Sequence, residues 1–218
     1  MADLPEAVLF DVDGTLVDSN YVHVLAWWEA FQQAGHDVPA VRIHRSIGMG
    51  SDKLLDALLP AGRDRNADET ITAAHKALFT AHRSRLRPLP GAAALLRALK
   101  SRGITVVLAS SADAEDLALL RRALDADDAI DAATSSSDAE ESKPAPDLVE
   151  TALAKAGTAP ENTLFVGDAV WDVKAAGRAG VPCVALLSGG TGEAELREAG
   201  AVEVYADTEA LRAALPFL

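Results

Sequence analysis

Two pairs of closely spaced carboxylates each follow a short apolar run in the sequence. Asp11 and Asp13 form the first pair, and Asp168 and Asp172 form the second. Carboxylates this close repel one another unless a cation, a hydrogen-bond donor or a proton lies between them. Taken singly, each pair could also belong to an ordinary turn or to the start of a helix. A shared site with oxygen ligands would favour Mg²⁺ over zinc or copper.

Polar residues also follow two other apolar or loop segments. Ser110 and Ser111 end the β-branched run 104–109, where a hydroxyl and backbone N–H groups could hold a phosphoryl oxygen. Lys143 stands among prolines just before a predicted helix, where the positive helix end makes a lysine unfavourable unless an anion lies beside it. Each has a plain alternative, a helix N-cap for Ser110 and a solvated surface charge for Lys143.

The elements that must position these residues can be predicted from periodicity and from glycine and proline breaks. The pattern predicts strands over 8–10, 104–109, 129–134, 163–166 and 182–187, and a last helix–strand–helix passage ending at Leu218. It predicts helices over 18–34, 52–59, 67–86, 91–102, 114–124, 145–156 and 173–179. Strands and helices therefore alternate from residue 88 onward, whereas 18–87 is helical throughout.

This alternation predicts an α/β fold, a Rossmann-like parallel sheet with helices on both faces. The first strand precedes the helical section, so we expect an inserted all-α cap domain over 18–87 and a core domain made of 1–17 and 88–218. In such sheets ligands bind at the carboxyl ends of the strands, which is where the polar residues described above stand. Chance is a remote explanation for polar residues of this kind at four strand ends.

Composition limits the classes of function. The 218 residues carry 20 basic and 33 acidic side chains, a net charge of −13, which argues against nonspecific binding of nucleic acid or of anionic membranes. Cys183 is the only cysteine, which excludes an internal disulfide. The sequence shows no signal peptide or membrane-length apolar run, so we expect a cytoplasmic protein. A monomer or a weak homodimer is expected.

In order, these residues resemble the motifs of the haloacid dehalogenase superfamily. The segment 11–15 is similar to the first motif of its phosphohydrolases, Ser110 to the second, Lys143 to the third, and 167–172 to the fourth. The match covers essentially the whole chain, and the helical section resembles the family's α-helical cap. The group it resembles most contains phosphoglycolate phosphatases and β-phosphoglucomutases.

The resemblance implies a Mg²⁺-dependent phosphatase acting on a small phosphorylated metabolite such as a sugar phosphate or phosphoglycolate. Asp11 would be the nucleophile that forms an aspartyl-phosphate, and Asp13 the general acid and base, holding a proton near neutral pH. Mg²⁺ would be bound by Asp11, the backbone carbonyl of Asp13 and Asp168, with Asp172 in support or binding through water. Ser110 and Lys143 would bind the phosphoryl oxygens.

Further residues are candidates for contacts with the substrate, namely Thr15, His23, Arg45, Gly48, Lys53 and Ser111. His23 matches a histidine that lies near the acid/base Asp of β-phosphoglucomutases. The other histidines, His36, His44, His75 and His82, are expected on the surface or in packing. Trp27 and Trp28 are expected in the core of the cap.

Alternatives to a phosphatase remain open at this stage. A β-phosphoglucomutase-like phosphotransferase is disfavoured because Gly167 precedes Asp168 where mutases usually have Glu, and because Ser51 lies where they have a phosphate-binding Arg. Dehalogenases of the superfamily lack the second Asp of the first motif. A response-regulator receiver would lack the inserted cap. A phosphate-binding protein without catalysis is the least favoured alternative, since every expected catalytic position is filled.

Overall fold

A six-stranded parallel sheet forms the centre of the computed structural model, which describes residues 4–215. The ends of the predicted first and last passages, 1–3 and 216–218, lie outside the described residues. The strand order is β3-β2-β1-β4-β5-β6. The strands are β1 (Ala7–Phe10), β2 (Thr105–Ala109), β3 (Ala132–Thr134), β4 (Thr163–Gly167), β5 (Cys183–Leu186) and β6 (Glu203–Tyr205).

Helices cover both faces of the sheet, as the alternating pattern predicts. Outside the helical section they are α5 (Ala92–Ser101), α6 (Ala114–Leu124), α7 (Asp147–Ala156), α8 (Val170–Arg178), α9 (Glu193–Ala199) and α10 (Thr208–Ala214). Successive strand residues point to opposite faces. Val8 and Phe10 of β1 therefore pack with the leucines of α5, α6 and α10, whereas Leu9 packs with residues of α7, α8 and α9. The prediction of a Rossmann-like parallel sheet is confirmed.

From the end of β1 to residue 87 the described chain is helical apart from loops and isolated bridges. The helices are α1 (Asn20–Gln33), α2 (Ala40–His44), α3 (Ser51–Leu58) and α4 (Asp68–Ala81). They share an apolar core of their own, which includes Trp27, Phe31, Ile43 and Leu54. This arrangement supports a cap over 18–87, and the division into two domains stays a prediction.

Several element boundaries differ from the predicted ones. Helix α4 ends at Ala81 rather than at 86, and the chain continues as a 3₁₀ turn, Arg83–Arg85, before it becomes extended at Leu86. Helix α2 was not predicted, since its five residues are too few to show a helical period. The expected strand over 129–134 is reduced to β3, because Asp127–Ala129 forms a 3₁₀ turn.

Trp28 is a further difference, because its side chain is exposed rather than packed in the helical core. Trp27, its neighbour, is buried there as expected. Trp28 lies outside the buried face of α1, which includes Val24, Trp27 and Phe31. Among the described residues, no helix is long and apolar enough to cross a membrane.

Candidate active site

The carboxyl ends of β1, β2 and β4 meet in the middle of the sheet. β1 lies between β2 and β4, so the strand order reverses here, which is the position at which open α/β sheets bind ligands. Asp11 directly follows β1, Ser110 follows β2 and Asp168 follows β4. Residues that are 99 and 157 positions from Asp11 in the sequence are thus placed at one edge. The order of the strands alone brings these three positions together.

Lys143 is the central cation of the site. Its ammonium group donates to Asp11 Oδ1 at 2.7 Å, to Asp172 Oδ1 at 2.8 Å and to the carbonyl of Ala109 at 3.0 Å. The side chain is fully buried, although Lys is almost never buried without a partner. Burial opposes its charge, but the two carboxylates outweigh burial and raise the pKa of Lys143. Lys143 therefore stays charged and holds two buried acids together.

Asp11 lies beside this cation and is itself 3% exposed. Burial raises the pKa of Asp11 well above its ordinary value, Lys143 acts in the opposite direction, and the neighbouring acids Asp172 and Asp168 raise it further. The carboxylate at this position therefore depends on cations for its ionisation. Lys143 supplies one such charge, and the remaining acids call for another.

Asp168 is held by two side chains from the segment after β1. Thr15 Oγ1 donates to Asp168 Oδ1 at 2.9 Å, and Asn20 Nδ2 donates to Oδ2 at 3.1 Å. Burial and the charge of Asp172 raise the pKa of Asp168 to about 7. Gly14, at φ +76°, passes so close that a Cβ there would lie 2.5 Å from Asp168 Oδ2. A side chain at position 14 would therefore displace this carboxylate.

The three acids form a donor set that fits a hard divalent cation. One carboxylate oxygen from each of Asp11, Asp168 and Asp172 lies within 4.8 Å of the others, and all three residues are buried. Carboxylate oxygens are the ligands that Mg²⁺ prefers. Asp172 has the least freedom of the three, because its Oδ2 accepts from the backbone N–H groups of Asp168 and Ala169. Its geometry suits support of the site more than direct coordination.

Asp13 belongs to a different hydrogen-bond network from Asp11. Its Oδ1 accepts from Ser19 Oγ at 2.5 Å and lies 3.1 Å from His23 Nε2. Burial alone would raise the pKa of Asp13, but the charge and hydrogen bond of His23 and the hydrogen bond of Ser19 together lower it. A general acid must hold a proton near neutral pH, which this lowered pKa opposes, so the role of Asp13 in proton transfer stays a prediction.

His75 stands behind His23 and is packed in the interior, as expected, but its contact with His23 was not predicted. His23 Nδ1 lies 3.1 Å from His75 Nε2, and the ring of His75 stacks on Trp27 with centroids 4.0 Å apart. Burial, together with the charge of His23, lowers the pKa of His75 well below its ordinary value. A neutral His75 can accept from or donate to His23, which orients the His23 ring toward Asp13. The spacing of His75 and Phe79 on one helix face was the available signal.

The two serines after β2 have different surroundings. Ser110 is fully buried, its Oγ accepts from the N–H of Ala112 at 3.1 Å, and it does not line the cavity described below. Asp113, not Ser110, is the N-cap of α6. Ser111 Oγ donates to the carbonyl of Gly48 at 3.2 Å and so joins the sheet to the helical segment.

A cavity of about 260 Å³ opens above Asp11 and Asp13. It is closed on one side by the helical segment, where Ser142 Oγ donates to Asp52 at 2.6 Å and Trp171 Nε1 to the carbonyl of Arg45 at 3.0 Å. His23, Gly48 and Ser111 line it as predicted candidates. It is also lined by residues that were not predicted, including Ser51, Asp52, Thr72, His75, Lys76, Asp113, Asp116 and Glu140.

Three predicted substrate contacts lie elsewhere. Arg45 is exposed and pairs with Glu195, and Lys53 pairs with Glu141 at 3.2 Å, because each long side chain reaches an acid at the surface. Neither lines the cavity, and neither does Thr15, whose hydroxyl proton is donated to Asp168. The geometry makes Thr15 a positioning residue for Asp168 and gives no support to a substrate contact by Arg45 or Lys53.

The chain belongs to the haloacid dehalogenase-like hydrolase family, whose sequence profile matches residues 5–180. Fold and site agree with that class: the parallel sheet, the acids after β1 and β4, and a buried lysine between them. The motifs read from the sequence therefore identified the family correctly.

Individual relatives narrow the class to phosphatases. The chain is 33% identical over 220 residues to a phosphoglycolate phosphatase of Rhodospirillum rubrum, covering 95% of this chain and 90% of that protein. A hydrolase from Pseudomonas syringae has the same fold with a TM-score of 0.92 and 34% identity, covering 96% of this chain and 97% of that one. A β-phosphoglucomutase from Clostridium difficile, at 21% identity, 95% and 93% coverage and a TM-score of 0.84, shows the shared fold alone. The protein is an enzyme of the phosphatase type.

Proposed function

We propose that this enzyme hydrolyses a small phosphate monoester with Mg²⁺, through an aspartyl-phosphate intermediate on Asp11. The observation that carries the proposal is the position of Asp11 at the base of the cavity, 2.7 Å from Lys143 and within reach of Asp168 and Asp172. A carboxylate that is buried among acids needs compensating cations. A nucleophile on the cavity floor needs the same cations to accept a phosphoryl group.

In the first half-reaction, a carboxylate oxygen of Asp11 attacks the phosphorus and the bond from phosphorus to the alcohol oxygen breaks. The leaving alkoxide takes a proton from the Asp13–His23 pair. In the second half-reaction, the same pair accepts a proton from water while the water oxygen attacks the phosphorus. Inorganic phosphate leaves and the Asp11 carboxylate is regenerated. The lowered pKa of Asp13 makes the pair, rather than the carboxyl alone, the proton carrier.

Other residues of the chain act on the phosphoryl group by charge and hydrogen bonding. Lys143 balances the negative charge that Asp11 and the transferred group share. Ser110 stays the proposed hydroxyl contact at the end of β2, although its buried side chain does not line the cavity in this structure. Asp168, Asp172 and the backbone carbonyl of Asp13 are the proposed further ligands of Mg²⁺ besides Asp11. The metal would supply a positive charge that stabilises the phosphoryl oxygens during transfer.

The helical segment 18–87 is the proposed cap, and 1–17 with 88–218 the proposed core. Two observations support this division. The helices have an apolar core of their own, and they close the cavity above Asp11 through contacts such as Ser111 to Gly48. A cap that covers the nucleophile would exclude bulk water and select the leaving group.

Hydrolysis is favoured over phosphoryl transfer between two positions of a sugar. A mutase must bind a second phosphate group, which requires cations away from the nucleophile. Ser51 lines the cavity, whereas Arg45 and Lys53 do not. Among the described residues the lysine that does line it, Lys76, is paired with Asp113 and Glu115.

The test is turnover of p-nitrophenyl phosphate in the presence of Mg²⁺. Asp11→Asn should lose more than about 10⁴-fold in kcat, because the nucleophile is removed. Asp13→Ala should lose roughly 10²- to 10⁴-fold while still binding Mg²⁺ in calorimetry, whereas Asp11→Ala should lose both properties. Absence of turnover with every phosphate ester tried would overturn the proposal, as would isomerisation of glucose 1-phosphate faster than release of phosphate.

A further inference from the structure

Asp116 lines the cavity at a point that the reaction described above does not use. It stands in the first turn of α6, is 6% exposed, and lies close enough to Asp13 and His23 for their charges to affect it. Its Oδ1 has no hydrogen-bond partner among residues 4–215. A buried carboxylate oxygen without a hydrogen-bond partner destabilises the folded state. A ligand group that donates to Asp116 would remove this destabilisation.

The charges around Asp116 restrict what that ligand group can be. Three further acids line the same cavity away from the nucleophile, namely Asp52, Asp113 and Glu140. The lysine among the described residues that line the cavity is Lys76, which binds Asp113 at 2.8 Å and Glu115 at 2.7 Å. The positive charge of Lys76 is thus already matched by two carboxylates. The part of the cavity beyond the phosphate position is therefore acidic.

An anionic leaving group would meet this acidic wall. Like charges brought together in a partly desolvated site repel one another and weaken binding. A carboxylate on the leaving group, as in 2-phosphoglycolate, could neither donate to Asp116 nor find an unmatched cation on the wall. An alcohol bearing further hydroxyls can donate to carboxylates without adding charge. A cavity of about 260 Å³ is also smaller than a site for a drug-sized ligand, and so suits a small metabolite.

We propose that the leaving group is an uncharged polyhydroxy alcohol, of the sugar or polyol class, and that Asp116 is a specificity-determining residue that accepts a hydrogen bond from one of its hydroxyls. This inference rests on the proposed phosphatase function. It separates this chain from relatives named for phosphoglycolate, because specificity is set by the cavity wall rather than by the residues at the strand ends.

The experiment compares kcat/KM for the purified 218-residue protein with Mg²⁺ on four kinds of substrate. They are polyol and sugar phosphates (glycerol 3-phosphate, ribose 5-phosphate and glucose 6-phosphate), the anionic 2-phosphoglycolate, the cationic ethanolamine phosphate, and p-nitrophenyl phosphate as a general phosphatase substrate. At least one polyol or sugar phosphate should exceed 2-phosphoglycolate and ethanolamine phosphate by about tenfold or more. A preference for 2-phosphoglycolate or for ethanolamine phosphate would overturn the inference.

The variant Asp116→Asn tests the residue itself. Its amide has nearly the shape of the carboxylate but carries no charge and one acceptor oxygen fewer. The ratio of kcat/KM for the best polyol or sugar phosphate to that for 2-phosphoglycolate should fall about tenfold or more, and a ratio is insensitive to a general loss of active protein. The control Glu150→Gln removes one acidic charge from an exposed position on α7 and should leave the ratio unchanged.

Failure of this inference can be told apart from failure of the proposed function. Turnover of p-nitrophenyl phosphate that depends on Asp11, combined with a preference for 2-phosphoglycolate, leaves the phosphatase proposal intact and overturns the role of Asp116. An unchanged ratio in Asp116→Asn also overturns that role. No turnover of any substrate overturns both.

Discussion

Buried charges at single residues carry most of the chemistry in this enzyme. Lys143, Asp11 and Asp172 form an ion-pair cluster that is essentially inaccessible to water. Burying charges costs several kcal/mol per ion, and a cluster of this kind survives because each member compensates another. Removing one member leaves the others without compensation. The stability of the protein and the reactivity of Asp11 therefore depend on the same lysine.

Replacing Lys143 by methionine should lower the free energy of unfolding at pH 8 by about 3 to 5 kcal/mol, because two buried carboxylates lose their cation. Urea denaturation measures this. The control Lys155→Met removes a half-exposed pair with Asp138 and should cost less than about 1 kcal/mol. A loss in Lys143→Met no larger than in the control would show that the cluster is not held by this charge.

Unlike the charge of Lys143, the charge of Asp116 should lower the free energy of unfolding. Burial, followed by the charge of Asp113, raises the pKa of Asp116 to about 6, above the unfolded value near 4. The folded state therefore binds this proton more tightly, so stability falls as pH rises from about 4 to 6 and stays lower above that range. The free energy of unfolding of Asp116→Asn should exceed that of the wild type by roughly 1 to 3 kcal/mol at pH 8 and equal it at pH 4.

The exposed pair of Asp128 with Arg97 provides the control for this measurement. The hydrogen bond from Arg97 lowers the pKa of Asp128, so its ionised form is favoured by folding. Asp128→Asn should therefore gain no stability at pH 8. A gain in both variants would point to a general effect of net charge, and no gain in Asp116→Asn would contradict the buried, uncompensated carboxylate.

At the scale of elements, turns after strands place the carboxylates. A 3₁₀ turn, Leu187–Gly189, follows β5 and brings the backbone of Gly189 against Asp168. The carbonyl of Gly189 also accepts from His44 Nε2 at 2.8 Å, which ties this turn to the helical segment. Any side chain at position 189 would overlap the carboxylate of Asp168. The backbone of this turn therefore restricts the position of the Asp168 carboxylate, one of the proposed metal ligands.

Gly189→Ala should weaken Mg²⁺ binding by roughly 10- to 100-fold, because Asp168 must move to make room for the new methyl group. Titration calorimetry with Mg²⁺ measures the change directly. The control Gly177→Ala lies inside α8, where a Cβ meets open space, and should leave Mg²⁺ affinity unchanged while raising stability by about 0.5 to 1 kcal/mol. Equal affinities in the two variants would remove Gly189 from this role.

At the scale of the whole molecule, the acids gathered at one sheet edge make folding and metal binding interdependent. The chain carries a net charge of −13, and three of its acids lie buried within 4.8 Å of one another. A ligand that binds only the folded state stabilises it by mass action. A cation at this cluster would also remove repulsion that the folded state alone has to bear. Mg²⁺ should therefore act as a stabiliser as well as a cofactor.

At a concentration of about 100 times its Kd, Mg²⁺ should raise the Tm by roughly 5 to 10 °C, which corresponds to about 2.7 kcal/mol. Scanning calorimetry with Mg²⁺ and with a chelator gives the comparison. In Asp168→Asn most of this shift should disappear. A shift of equal size in that variant would place the binding of Mg²⁺ outside the proposed cluster.

The sequence by itself was sufficient to predict the family and the parallel sheet. It also predicted that Asp11, Lys143 and Asp168 lie together at the carboxyl ends of the strands. These depend on local signals, namely apolar runs that end in glycine and acids, and prolines before a helix. Such signals can be read from the sequence, because the residues that end a strand lie only a few positions apart along the chain. Helix α2 was not predicted and β3 was predicted too long, since three to five residues carry little periodic signal.

Tertiary structure decided which side chains meet. Whether Arg45 reaches the cavity or Glu195, and whether Thr15 contacts substrate or Asp168, depends on packing between segments that are 150 or more residues apart. Packing also decides the His23–His75 contact, which joins residues 52 positions apart, and leaves one oxygen of Asp116 without a partner. Contact and desolvation are properties of the folded arrangement, and they set the pKa values, the charge of the cavity wall and so the choice of leaving group.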